Sequence, residues 1–179
     1  MKKPKKVVHV SCQGSANMLK VPRTSSAATC AEAHAAGDGA CAFGCLGLGD
    51  CEAACKKDAI HVIDGIAVVD YEKCIGCGLC VRKCPRNIII QVPVDSRVYV
   101  GCKAQGLGKD KSKLCKNACI GCTLCAQLCP SKAITIENGL PVIDYEKCTN
   151  CGTCVGICPT MLGNSKVIAE APMPEYDAE

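Results

Sequence analysis

The chain is predicted to be an α+β protein of two tandem units of one kind, with short hairpins, short helices and cores not built from large apolar side chains. Three observations predict this. Ala59-Ile-His-Val-Ile-Asp-Gly-Ile-Ala-Val-Val-Asp-Tyr-Glu-Lys-Cys74 matches Ala133-Ile-Thr-Ile-Glu-Asn-Gly-Leu-Pro-Val-Ile-Asp-Tyr-Glu-Lys-Cys148 at an offset of 74. Each copy places two short β-type runs around Asp64-Gly65 or Asn138-Gly139, dipeptides that favour a tight hairpin. Cysteine is 20 of 179 residues, beyond the level that marks a disulfide or metal scaffold. Aromatics are only five, Phe43, Tyr71, Tyr99, Tyr145 and Tyr176, too few large side chains for an ordinary core of this length.

The cysteine spacing says what fills those cores. Cys119 to Cys158 holds two copies of C-x2-C-x2-C-x3-C-P, and every cysteine recurs at a spacing of 29. This is the ligand run of a bacterial ferredoxin with two 4Fe-4S clusters, in which the fourth cysteine of each copy serves the other cluster. Three cysteines at spacings of three wrap one cubane, and the turn at Pro130 or Pro159 carries the fourth away. Cys119, Cys122, Cys125 and Cys158 are therefore expected to hold one cluster, and Cys148, Cys151, Cys154 and Cys129 its partner. A zinc ribbon needs two separated C-x2-C pairs and no third cysteine. A disulfide framework spaces its cysteines apart, because such close neighbours rarely meet bridge geometry.

Taken in order, residues 1 to 6 form a basic start, and Val7-Val8-His9-Val10 alternates as a short strand, followed by Cys12. Residues 13 to 29 read as loop, and Thr29 to Ala36 as a short helix around Cys30, stopped by Gly37-Asp38-Gly39. The first cluster unit then opens with an enlarged motif, C-x3-C-x5-C-x3-C, at Cys41, Cys45, Cys51 and Cys55. A regular motif follows at Cys74, Cys77, Cys80, Cys84 and Pro85. The expected ligand sets are Cys41, Cys45, Cys51 and Cys84 for one cluster, and Cys74, Cys77, Cys80 and Cys55 for the other. Gly44, Gly47 and Gly49 would let backbone N–H groups approach the sulfurs and shift the potential of the first of these. Cys55 is followed by Lys56, not proline.

Ile88 to Val92 reads as a closing strand, and Arg97-Val-Tyr-Val-Gly-Cys102 echoes Val7-Val-His-Val-Ser-Cys12. Lys109, Lys111 and Lys113 lie in a polar segment leading to Cys115, read as a solvated loop with a docking patch for an acidic partner as the alternative, and a last strand near Val167-Ile168 precedes a loose acidic tail. The divisions expected are an N-terminal strand and loop segment at 1–40, a ferredoxin-like unit at 41–93, a connecting strand and loop at 94–118, a second ferredoxin-like unit at 119–168, and a flexible tail at 169–179. Together they describe two tandem two-cluster (8Fe-8S) ferredoxin-like units with cluster-filled cores. Cys12, Cys30, Cys102 and Cys115 lie outside the motifs, two per repeat. Packed units would bring them to one site for a fifth 4Fe-4S cluster; buried free thiols and a zinc site account for the same four residues.

The formal charge is +4. A 4Fe-4S core with four thiolates carries about −2 when oxidised, so four clusters take the chain to about −4 and five to about −6. The basic excess compensates buried anions rather than marking a nucleic-acid footprint, and stacking aromatics for nucleic acid are lacking. No run of 18 apolar residues spans a membrane, and no signal peptide follows the basic start. Thiolate ligands at this density imply a reducing compartment, the cytoplasm. No nucleophile, acid/base pair or phosphate loop stands out, so no catalytic residues are expected, and His9, His34 and His61 read as structural or surface residues.

Cys41-Ala-Phe-Gly-Cys-Leu-Gly-Leu-Gly-Asp-Cys-Glu-Ala-Ala-Cys55, Asp64-Gly-Ile-Ala-Val-Val-Asp70, Gly101-Cys-Lys leading through Lys109 to Cys115, and Cys119-Ile-Gly-Cys122 resemble the B subunit of the Rnf-type ion-translocating ferredoxin:NAD oxidoreductase family. The resemblance covers nearly the whole chain. It implies an electron-carrier subunit on the cytoplasmic side of a membrane complex, taking electrons from reduced ferredoxin toward a flavin- and NAD-binding subunit, or the reverse. The family's N-terminal membrane anchor and separate small cluster domain have no counterpart in these residues. The competing readings are a free soluble polyferredoxin serving other oxidoreductases and a zinc-stabilised structural protein.

Overall fold

The computed structural model describes residues 4–14, 26–106, 108–159 and 167–174. Residues 1–3 of the basic start, 15–25 of the first loop and 175–179 of the tail lie outside the described residues. Strand β1 (Lys6–Val10) runs antiparallel beside β4 (Ile89–Pro93), with Val8 opposite Gln91. Between them come helices α1 (Cys30–Ala35) and α2 (Asp50–Ala53), the hairpin of β2 (Ile60–Ile63) and β3 (Ile66–Val69), and helix α3 (Leu79–Lys83). The second half repeats the order. Strand β5 (Val98–Val100) pairs with β8 (Ile168–Glu170), enclosing α4 (Gly108–Leu114), α5 (Leu124–Gln127), the hairpin of β6 (Ile134–Glu137) and β7 (Leu140–Ile143), and α6 (Thr153–Ile157). The four inner elements α2, β2, β3 and α3 recur as α5, β6, β7 and α6 at an offset of 74.

Local chemistry accounts for these elements. Asp64 and Gly65 have φ of 50° and 79°, and Asn138 and Gly139 50° and 73°. Two consecutive left-handed residues make the hairpin turn whose twist matches that of the strands. Helix α1 starts at a reciprocal cap: the Glu32 amide donates to Thr29 Oγ1 at 3.2 Å, and Glu32 Oε2 accepts from the Thr29 amide at 3.3 Å. Helices α2, α3, α5 and α6 are four or five residues long. Isolated helices of that length do not persist in water, so what they pack on must hold them.

The first repeat buries Val7, Val8, Ile60, Ile88, Ile89 and Val92. The second buries Val98, Ile134, Ile143 and Ile168 around Cys125 and Cys154. The repeats meet where His9 of β1 stacks on Tyr99 of β5, with ring centroids 4.7 Å apart. The pairing of β1 with β4 crosses the division expected at 40, and that of β5 with β8 the one expected at 118, while no strand pair crosses the division at 93. A strand with buried valines and an open edge needs such a partner to satisfy its backbone.

Candidate iron-sulfur centres

In the second repeat, Cys119, Cys122, Cys125 and Cys158 line one cavity, walled by Ile136, Pro141 and Val167. Cys129, Cys148, Cys151 and Cys154 line another. Burial pushes the free Cys125 thiol up to about 11, with Cys119, Cys122 and Cys158 adding to the effect. It does the same for Cys154, also to about 11, with Cys148 and Cys129 beside it. A cationic iron centre deprotonates its thiol ligands on binding and so offsets what burial does at Cys125 and Cys154. Hydrogen bonds reach the second set: the Ala133 amide donates to Cys129 Sγ at 3.4 Å, while the hydroxyls of Ser131 and Thr153 lie 3.6 Å from Cys129 Sγ and 3.4 Å from Cys151 Sγ.

In the first repeat, Cys80 is pushed up to about 11 by burial, then by Cys74 and Cys55 beside it, and Cys77 is exposed. The Ala59 amide donates to Cys55 Sγ at 3.3 Å. The turn after Cys55 closes without a proline: the Asp58 amide donates to the Cys55 carbonyl, as Lys132 does to Cys129.

The other set departs from the sequence expectation. The cavity is lined by Cys30, Cys45, Cys51 and Cys84, and Cys41 is not among its residues. Burial pushes Cys51 up to about 12, with Cys45, Cys30 and Cys84 contributing. Two anchors explain the exchange. The Cys30 amide donates to Asp50 Oδ1 at 2.9 Å, docking the start of α1 on the start of α2. The Arg86 guanidinium, itself lining that cavity, donates to the carbonyls of Asp38, Cys41 and Gly44, tying down the segment that carries Cys41.

The signal for this exchange lies in the repeat itself. Carried upstream, the offset of 74 pairs Cys45 with Cys119, Cys51 with Cys125 and Cys55 with Cys129, and sets Leu48 against Cys122. The enlarged motif is thus a regular one with leucine at its second ligand position, and Cys30 arrives from α1 beside the remaining three. Gly47 matches Gly121. Gly47 has φ +70°, and a Cβ there would lie 2.7 Å from the Gly65 carbonyl oxygen. Its small size lets the motif loop lie against the hairpin turn, in addition to any effect on the sulfurs.

Cys41 pairs with Cys115 at the same offset. Both line a further cavity, of about 200 Å³, with Cys12 and Cys102. Cys30 is not part of it. Lys103 and Lys111 also line it. The lysine-rich segment is helix α4 rather than a solvated loop, and Lys111 is 5% exposed. Among the described residues no group of three or more His, Cys, Asp or Glu is placed to hold a single metal ion.

His9 is fully buried. Its Nδ1 is 2.9 Å from the Tyr71 hydroxyl and its Nε2 3.1 Å from the Ser96 carbonyl. A carbonyl only accepts, so Nε2 carries the proton and Tyr71 donates to Nδ1. Burial holds the imidazole down to about 4, the Ser96 bond opposing weakly. His61 is half-exposed and pairs with Glu52. Among the described residues no helix is long and apolar enough to cross a membrane.

Residues 67–90 match the 4Fe-4S binding domain family and residues 118–162 the 4Fe-4S dicluster domain family. The chain is 45% identical over 161 residues to the B subunit of the Na(+)-translocating ferredoxin:NAD(+) oxidoreductase complex of Acetobacterium woodii, covering 87% of this chain and 48% of that protein. It is 42% identical over 120 residues to the B subunit of the ion-translocating oxidoreductase complex of Methanosarcina acetivorans, covering 66% and 46%. It is 37% identical over 127 residues to the B subunit of the proton-translocating ferredoxin:NAD(+) oxidoreductase complex of Clostridium ljungdahlii, covering 69% and 45%. The chain spans about half the length of these curated relatives.

Proposed function

We infer, for a chain that belongs to the B-subunit family of ion-translocating ferredoxin:NAD oxidoreductase complexes, that it is an iron-sulfur electron-transfer subunit of such a complex. The observation that carries this is the gathering of cysteines within each repeat: three groups of four line cavities, and Cys55 and Cys74 lie beside Cys80. Cys55, Cys74, Cys77 and Cys80 would hold one 4Fe-4S cluster, and Cys30, Cys45, Cys51 and Cys84 the next. Cys119, Cys122, Cys125 and Cys158 would hold a third, and Cys129, Cys148, Cys151 and Cys154 a fourth. Each repeat is then a two-cluster unit in which the fourth cysteine of each motif serves the other site. A bound 4Fe-4S cluster supplies one-electron redox chemistry.

The protein's own part is to hold, shield and tune. Ile60, Ile89, Ile134 and Ile143 exclude water from the inner walls. Backbone N–H groups at Ala59 and Ala133 stabilise the thiolates of Cys55 and Cys129. Cys77, Cys122 and Cys151 are exposed, which leaves three sites with a sulfur at the surface where a partner can approach. The partners proposed are reduced ferredoxin on one side and a flavin- and NAD-binding subunit on the other, with the chain peripheral on the cytoplasmic face, where thiolates are kept reduced.

The test is the chain purified without oxygen. Broad visible absorption that bleaches on addition of reduced ferredoxin supports the reading. Absence of bleaching, or zinc in place of iron, overturns it. Co-purification with flavin-containing membrane subunits separates the complex subunit from a freely diffusing polyferredoxin.

A further inference from the structure

We propose that Cys12, Cys41, Cys102 and Cys115 hold a fifth 4Fe-4S cluster that bridges the two repeats. The proposal rests on the electron-transfer reading above and extends it to a site that neither ferredoxin motif supplies. The four cysteines line one cavity, the widest of those lined by four cysteines. Each repeat contributes two of them at matching places. Cys12 and Cys102 follow β1 and β5, and Cys41 and Cys115 stand four residues ahead of Cys45 and Cys119. The Asn117 side chain donates to the Gln13 carbonyl at its edge and ties one repeat to the other.

The hydrogen bonds around this cavity are also repeated. The Cys45 amide donates to Cys12 Sγ at 3.3 Å, and the Cys119 amide to Cys102 Sγ at 3.4 Å. Such bonds stabilise a thiolate and set a cluster's potential. Cys45 and Cys119 belong to the inner cysteine group of each repeat. The bridging site therefore stands one hydrogen bond from a ligand residue on either side. A cluster held by Cys12, Cys41, Cys102 and Cys115 would supply a one-electron carrier between the groups of Cys45 and Cys119, reduced by one and oxidised by the other with no bond made or broken.

Charge points the same way. Lys111 is 5% exposed, makes no ion pair among the described residues, and its Nζ donates to the Gly139 carbonyl at 3.3 Å. A buried ammonium with one neutral acceptor is unfavourable unless an anion compensates it. Four thiolates on a cubane carry about −2 and provide that anion beside Lys111 and Lys103. A single zinc ion is the alternative occupant. It needs its sulfurs about 2.3 Å from one point, and no such grouping exists among the described residues.

The full chain, loaded with iron and sulfide without oxygen, decides the matter. The expected content is about 20 iron atoms per chain, four per cluster, with Cys12, Cys41, Cys102 and Cys115 protected from iodoacetamide in the folded protein. Cys41→Ala and Cys102→Ala should each lower the iron by about four and retain the bleachable absorption of the rest. About 16 iron atoms with these four thiols alkylated, or one zinc per chain at them, overturns the proposal and leaves the electron-transfer reading standing. Absence of bleachable iron altogether overturns that reading first. Alkylation of the unmutated chain decides even if a variant fails to fold.

Discussion

Residues 45–84 and 119–158 follow the same path 74 positions apart. They differ at one corner of one cysteine group. The second repeat places Cys122 three residues after Cys119; the first has Leu48 there, and Cys30 comes from a helix outside the motif. What the two repeats share is a cavity lined by four cysteines, one of which comes in the first repeat from outside the motif. The first repeat has room for this because 29 positions separate Cys12 from Cys41, against 13 between Cys102 and Cys115. The extra length carries α1, and the Cys30–Asp50 hydrogen bond seats it.

Neither repeat is expected to fold without metal. With one-turn helices and few large side chains, metal binding is expected to carry the folding free energy of both. Chelating the iron under reducing conditions should abolish cooperative thermal unfolding followed by circular dichroism. A cooperative melt of the metal-free chain would refute this.

Next in size is the exchanged corner. Cys30→Ala and Cys122→Ala should be equivalent, each losing up to about four iron atoms per chain. Adding Leu48→Cys to Cys30→Ala rebuilds the regular spacing and should restore them. Unchanged iron in Cys30→Ala would refute the grouping.

The strands β1 and β5 supply a third contrast, with His9 in one where the other has Tyr99. The folded protein holds His9 near 4, below its ordinary 6.5. The unfolded chain therefore binds the extra proton first, and stability falls as pH drops from 6.5 toward 4. The full contribution is roughly 3 kcal/mol. Chemical denaturation of the cluster-loaded chain across that window should show a shallower slope for His9→Phe, while acid attack on the clusters affects both chains alike. Equal slopes would remove His9 as the cause.

Gly47 and Gly121 offer a finer distinction. Both are left-handed, so alanine costs about 1 kcal/mol at either. A Cβ at Gly47 also meets the Gly65 carbonyl oxygen at 2.7 Å, whereas at Gly121 the nearest atom, the Gly139 oxygen, is at 3.2 Å. Gly47→Ala should destabilise the loaded chain more than Gly121→Ala, measured as the difference in denaturation midpoints.

The smallest effect is electronic. Ser131 and Thr153 set hydroxyls beside sulfurs where the first repeat has Lys57 and Leu79. Thr153→Val should lower the potential of a cluster held by Cys129, Cys148, Cys151 and Cys154. A hydrogen bond of about 0.5–1.5 kcal/mol corresponds to roughly 20–60 mV for one electron. Redox titration followed by electron paramagnetic resonance reads it.

That Cys119, Cys122, Cys125 and Cys158 line one cavity and Cys129, Cys148, Cys151 and Cys154 another was legible in the spacing of the regular runs. The hairpins were legible because Asp64-Gly65 and Asn138-Gly139 demand left-handed backbone. The exchange of Cys30 and Cys41 was hidden by counting from the nearest cysteine: Cys41 sits four residues before Cys45, and nothing local says that it faces away. Only the offset of 74 exposes Leu48 as the vacant corner. Which distant cysteine fills it depends on a tertiary contact, the docking of α1 on α2. Lys111 was misleading for a related reason. A lysine-rich stretch normally marks solvent, and its burial reflects what surrounds it in space.

Each repeat begins and ends on the same ribbon, β1 beside β4 and β5 beside β8. Its entry and exit therefore lie together, and the step from Pro93 to Val98 is short. A unit with adjoining ends is modular: another copy can be joined through a connector of a few residues without rerouting the chain. In this architecture an electron carrier can be lengthened by adding repeats, and each junction creates a new seam where side chains from neighbouring copies meet.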